Sequence, residues 1–251
     1  MKNILIYLFP IILFFSASCS NETDEIIEKE LPPPIDYLII DTVSTEYNFE
    51  ENVNTIVKVA LFEQRTDAHY LDINNDSIFD IEISCNYVEA TFYESWSARI
   101  LTLNDSTMID VISFTDSIAN YTLTHFDSDQ NDSITITYTE NYNHKKEYPL
   151  NMEIKTATNY YPKIHVVGDT LDIFNNWQKG SFILNYKFTA GGWSVTRRNK
   201  GIWSGIGNKM IGIKFLDNDQ LYYGWIELSV NNYTISIHKY ALKMIPPNGS
   251  N

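Results

Sequence analysis

From Asp36 onward the chain alternates polar and apolar residues in short runs, and no long segment carries the 3.6-residue period of an amphipathic helix. Ile134-Thr135-Ile136-Thr137-Tyr138, Phe182-Ile183-Leu184-Asn185-Tyr186-Lys187-Phe188 and Tyr233-Thr234-Ile235-Ser236-Ile237 show it most clearly. Successive side chains of a strand point to opposite faces, so such runs suit half-buried strands and cannot hold a helical stripe against a core. Polar clusters separate them, among them Asp127-Ser128-Asp129-Gln130-Asn131-Asp132 and Leu216-Asp217-Asn218-Asp219, whose Asp and Asn side chains favour turns. Many short strands joined by polar turns predict an all-β fold, an antiparallel sandwich or jelly-roll-like architecture. The second cluster joins Ile211–Phe215 to Leu221–Val230 as a hairpin, and Val230-Asn231-Asn232-Tyr233 turns into another strand. A three-stranded meander is therefore expected at the end. Residues 36–246 read as one domain, followed by a short tail at 247–251.

The first 35 residues have a different character. Lys2 precedes an apolar run at 4–15, then Ser16-Ala17-Ser18-Cys19 and an abruptly polar Ser20-Asn21-Glu22-Thr23-Asp24-Glu25. A membrane-spanning helix needs about 20 apolar residues, so this run is too short to be one. The pattern resembles a bacterial lipoprotein signal, which implies that residues 1–18 are removed and Cys19 is acylated. Residues 19–35, acidic and ending in Pro32-Pro33-Pro34, read as a tether with a stiff end. Glu22, Asp24 and Glu25 resemble the acidic signal that sends lipoproteins of Bacteroidota to the outer face of the outer membrane. The expectation is a surface-exposed envelope protein held to the membrane through its lipid.

Charge and cysteine content narrow the function classes. With 32 acidic against 18 basic residues and a net charge of -14, the chain lacks the basic patches on which nucleic-acid binding runs. If Cys19 carries lipid, only Cys85 remains, and no intramolecular disulfide can form. Cys85 ends the alternating Ile81-Glu82-Ile83-Ser84-Cys85, where a buried, inert thiol is expected. An exported domain without disulfides must be held by its core or by bound metal.

Asp72-Ile73-Asn74-Asn75-Asp76-Ser77-Ile78-Phe79-Asp80 is the sharpest constellation. Asp72, Asn74, Asp76 and Asp80 bring side-chain oxygens at positions 1, 3, 5 and 9, and Ile78 could add its backbone carbonyl at position 7. Calcium is a hard cation that takes six to eight oxygens, and a tight loop can aim alternate side chains inward. Ser77 stands where an EF-hand has glycine and Ile83 where it has its bidentate glutamate, and the flanks read as strands. The expectation is a structural Ca2+ loop between strands. The competing reading is a polar hairpin whose Asp and Asn side chains satisfy their own backbone. Asp127, Asp129 and Asn131 repeat the theme more weakly.

Candidate ligand-binding residues are aromatic. In Tyr222–Val230, period-two geometry puts Ile226, Leu228 and Val230 on a core face, with Tyr223 and Trp225 beside Gly224 on the other. Those rings either stack on a sugar or are covered by further structure. Arg197, Arg198 and Lys200 lie between Trp193 and Trp203 in the chain's one locally basic segment, which suits an anion, a polysaccharide or a solvated hairpin.

The Asp72–Asp80 loop, Gly168-Asp169-Thr170-Leu171-Asp172 and the Tyr223-Gly224-Trp225-Ile226 strand together resemble uncharacterised exported lipoprotein β-domains of Bacteroidota. These carry a D-x-N-x-D-x-x-x-D loop early and a Y-G-W-[IV] strand near the end. The resemblance implies a sandwich-like exported module and assigns it no activity. No G-x-S-x-G, H-E-x-x-H, phosphate loop or G-x-G-x-x-G occurs, and His69, His125, His144, His165 and His238 are scattered singly. The sequence therefore points to a lipid-anchored binding or structural module with a glycan or envelope protein as partner. A polysaccharide-acting hydrolase using two carboxylates is the alternative.

Overall fold

The computed structural model describes residues 37–41, 47–59, 65–127, 132–191, 194–231 and 234–246. The signal and tether with Cys19, and also Asp129, Asn131 and Trp193, lie outside the described residues. The described chain is all-β. Its strands are β1 (Tyr37–Ile39), β2 (Phe49–Lys58), β3 (Arg65–Leu71), β4 (Ile81–Ala90), β5 (Tyr93–Thr102), β6 (Thr107–Asp127), β7 (Asp132–Asn141) and β8 (Glu153–Pro162). There follow β9 (Thr170–Asp172), β10 (Trp177–Gln178), β11 (Ser181–Ala190), β12 (Ser194–Lys200), β13 (Lys209–Asp217), β14 (Gln220–Asn231) and β15 (Thr234–Ile245).

One sheet runs β2-β15-β14-β13-β6-β7-β12-β11-β5-β4-β3, with β8 and β10 also paired to β6. Every ladder is antiparallel except β12 on β7. The path curls until its two ends meet, where the Lys58 N–H donates to Asp67 Oδ2 at 2.9 Å, so the sheet nearly closes as a barrel-like sandwich. β6 makes the curl possible. Its 21 residues pair with β13, β10 and β8 through the first part and with β7 through the last. A single strand thus passes from one wall to the other.

The closing meander forms as expected, β13–β14–β15. Asn218 and Asp219, at φ 46° and 64°, supply the left-handed pair that a two-residue hairpin between right-twisted strands requires. Ile211, Ile213, Phe215, Ile226, Leu228 and Val230 join β4 and β5 side chains in the main core. The opposite face of the meander is also buried. A two-stranded ribbon of β1 and β9 lies over it, and Leu38, Ile40 and Leu171 pack on Met210, Tyr223, Trp225 and Ala241. Gly224 does not leave a gap above the backbone, because a Cβ there would stand 2.1 Å from the Ala241 carbonyl oxygen.

Along β11 a bulge inverts the alternation. Phe182 faces Ile100 and Ile183 faces Arg99, but the next pair is Asn185 with Ala98, leaving Leu184 as the extra residue. Beyond it Asn185 and the exposed Lys187 stand on the same side of the sheet as Ala98 and Trp96, while the half-buried Tyr186 and Phe188 stand on the side of Ser97 and Ser95. Cys85 is fully buried, and desolvation, with some repulsion from Asp67, pushes its thiol up to about 12.

Candidate functional site

The 72–80 loop joins β3 to β4, which pair directly on either side of it. Asp72 anchors its head: one carboxylate oxygen accepts the Asp76 N–H at 3.1 Å and the other the Ser77 N–H at 2.7 Å. Asn74 Nδ2 donates to Asp76 Oδ2 at 3.0 Å, and Asp76 Oδ1 accepts the Ile78 N–H at 2.8 Å. Ser77 adopts φ 71°, the left-handed backbone that glycine supplies at the same position of an EF-hand. Ile78 itself projects outward, and Tyr70 and Phe79 lie beside the loop with ring centroids 5.4 Å apart.

Asp80 behaves differently from the other three. It is 1% exposed, and its carboxylate accepts the Ile73 N–H at 2.8 Å and the Asn104 side-chain amide. Asn104 Oδ1 in turn accepts from the Ser106 and Thr107 N–H groups, tying the β5–β6 turn to the loop base. Burial pushes the Asp80 carboxyl above the usual carboxylate range, and the charges of Asp76 and Asp72 add to this against the two hydrogen bonds. The structure thus brings Asp72, Asn74 and Asp76 together at the head and places Asp80 at the base. Among the described residues, no three Asp, Glu, His or Cys side chains converge as a ligand cluster, and no lysine or arginine pairs with Asp72, Asp76 or Asp80. The donors suit a hard cation in kind, being carboxylate, side-chain amide and backbone carbonyl oxygens. Asn104 carries no signal in the sequence, because it lies 24 residues beyond Asp80.

The aromatic candidates are structural. Trp203 is fully buried, and its Nε1–H donates to the Pro162 carbonyl at 2.8 Å. Trp225 donates to the Tyr47 hydroxyl at 3.0 Å and meets the Tyr47 ring edge-on. Tyr223 stacks on Trp177 with centroids 5.5 Å apart. None of the three presents a ring to a ligand in this structure, because the β1–β9 ribbon covers Tyr223 and Trp225, and Trp203 packs into the main core. Of the two fates open to such rings, burial under further structure is the one these three have.

A second polar cluster escapes sequence reasoning. Asp110 on β6 and His165, which bridges to Met210 on β13, are each 1% exposed, and His165 Nε2 lies 2.8 Å from Asp110 Oδ2. Asn175 donates to the same oxygen, the Asn176 N–H donates to Oδ1 at 3.0 Å, and Lys163 Nζ stands 3.6 Å away. Burial alone would raise the Asp110 carboxyl, but the His165 and Asn175 hydrogen bonds and the Lys163 charge outweigh it and hold it below the usual range. His165 Nδ1 is 3.3 Å from Asp169 Oδ2 without the alignment of a hydrogen bond. This cluster floors an open cleft of about 410 Å³ whose sides include Ile112, Lys163, Thr170, Asp172 and Phe174. Its members come from segments up to 66 residues apart, so no local motif announces them. No protein-family model, curated protein or solved structure matches this chain.

Proposed function

We propose that this chain is a lipid-anchored envelope module that binds a glycan or another envelope component, with calcium as a structural staple of its 72–80 loop. Cys19 would carry the lipid and the acidic tether would hold the β domain off the outer membrane, as the first 35 residues suggest. The observation that carries the calcium reading is the charge of the loop. Asp72, Asp76 and Asp80 lie within nine residues, without a lysine or arginine partner among the described residues, on a backbone that already turns left-handed at Ser77. A divalent cation relieves that repulsion and ties the β3–β4 connection to the Asn104 turn.

The hydrolase alternative has weaker support. A general acid in glycoside chemistry works from a raised pKa. Asp110, the buried carboxylate of the cleft, is shifted downward and its oxygens are occupied by three hydrogen-bond donors.

Thermal unfolding of the full-length chain with calcium and with chelator tests the staple. Calcium at about 100 times its Kd adds about 2.7 kcal/mol, which raises the midpoint by about 5–10 °C in a domain of this size. Asp72→Ala and Asp76→Ala should abolish the rise. A midpoint indifferent to chelator overturns the calcium reading and leaves a self-satisfied polar hairpin.

A further inference from the structure

The inner face of the sheet is apolar along β4 and β5, where Ile83, Cys85, Tyr87, Trp96, Ala98 and Ile100 are all buried. β11 continues that face with Phe182 and Leu184, and then the bulge brings Asn185 and Lys187 into it. Lys187 lies directly opposite Trp96 on one side and Asn199 of β12 on the other, so the three form a row across three strands. Half-buried Asn185 thus ends the hydrocarbon of this face, and exposed Lys187 and Asn199 carry it out to solvent.

They line a half-enclosed pocket of about 360 Å³. Trp96 is its apolar floor. Its far wall is the turn after β12, with Gly201 and Ser204. That wall is rigidly placed. Gly201 sits at φ 91° so close to the bulge that a Cβ would stand 2.3 Å from the Leu184 carbonyl oxygen. The Trp203 N–H donates to the same carbonyl, and its indole is anchored on Pro162. The backbone of Asn199 is held by both ends of the Asn141 side-chain amide, at 2.7 Å each. Lys200 forms part of the rim, but its register opposite Tyr186 sends its side chain to the outer face.

Among the described residues, the side chains of Asn185, Lys187, Asn199 and Ser204 make no hydrogen bond or ion pair. Four unused polar groups therefore converge on one preorganised pocket, and its volume lies within the range of small-molecule sites. Two amides and a hydroxyl match the alternating donors and acceptors of sugar hydroxyls, the tryptophan floor matches a pyranose C–H face, and the unpaired ammonium of Lys187 asks for an anion. We infer that this pocket binds a carboxylate-bearing sugar, with Lys187 on the carboxylate and Asn185, Asn199 and Ser204 on the hydroxyls. The inference rests on the binding-module reading and gives it a ligand class. It is independent of calcium, so either can fail alone.

Calorimetric titration of the full-length chain with glucuronate, with an oligosaccharide ending in a uronate, with glucose and with sulfate tests it. Saturable binding of glucuronate or of the oligosaccharide supports the pocket, and the two arms separate a free sugar from a polymer end. Lys187→Met should weaken binding about ten- to a hundredfold, the scale of one lost charge-assisted hydrogen bond. Lys187→Arg should retain most of it, and Lys179→Met, in the β10–β11 turn outside the pocket lining, should leave it unchanged. No saturable binding by either uronate, equal binding of glucose or sulfate, or equal losses in Lys187→Met and Lys179→Met overturns the inference.

Discussion

His165 Nε2 and Asp110 Oδ2 lie 2.8 Å apart with both residues 1% exposed, joining the segment after β8 to the beginning of β6, the longest of the described strands. The pair is one end of a network in which Asn175 and Asn176 close the β9–β10 turn on the same carboxylate. Asp110→Ala is expected to destabilise the domain by about 3–5 kcal/mol, the usual cost of leaving one partner of a buried pair uncompensated. Because the folded pKa of Asp110 is depressed, its contribution is present above the unfolded value of about 3.9 and disappears as pH falls through the folded value. Urea midpoints between pH 7 and pH 2.5 should show Asp110→Asn with a shallower acid decline than the wild-type chain.

Asp80 has the opposite sign. Its folded pKa is raised, so ionisation costs the folded state most above that pKa, and the cost vanishes below the unfolded value. In chelator, this site should add stability as pH is lowered from 7 toward about 4. Asp80→Asn should flatten that part of the profile, and saturating calcium should do the same in the wild-type chain. Thermal midpoints across that pH range provide the check.

Two glycines of the meander are expected to respond unequally to alanine. At Gly224 the new Cβ meets a backbone carbonyl oxygen at 2.1 Å, which can move only if β14 and β15 separate. At Gly212 the nearest atom, at 2.7 Å, is the end of the Leu171 side chain. Overpacking costs about 1–3 kcal/mol and sometimes more, so Gly224→Ala should lie at or above the top of that range and Gly212→Ala below it. Chemical denaturation of the two variants reads the difference.

Trp203→Ala should cost about 3–5 kcal/mol, as for other buried tryptophans. Trp203→Phe keeps most of the volume and strands the Pro162 carbonyl, a penalty of about 1–3 kcal/mol. If Trp203 is the plug that holds the pocket wall, the Phe variant should keep uronate binding within about threefold, well inside one order of magnitude. Denaturation and titration on the same preparations separate stability from binding.

Alternation and turn chemistry were enough to read the all-β class, the closing meander and the burial of Cys85, because these depend on residues within one strand or one hairpin. The hydrogen-bonded head of the 72–80 loop was legible for the same reason, since Asp72, Asn74 and Asp76 act on amides two to five residues away. Other features needed the folded chain. Tyr223 and Trp225 are buried because a ribbon formed by residues 37–39 and 170–172 lies across the second face of the meander, and strand periodicity cannot say whether a face is covered. Asp110 meets His165 and Asn175 only through β6, which pairs with distant strands along its length. The pocket around Lys187 exists because one bulge at Leu184 reverses which side of β11 faces inward. A bulge arises in the pairing of two strands, and a single strand read alone continues its period unbroken.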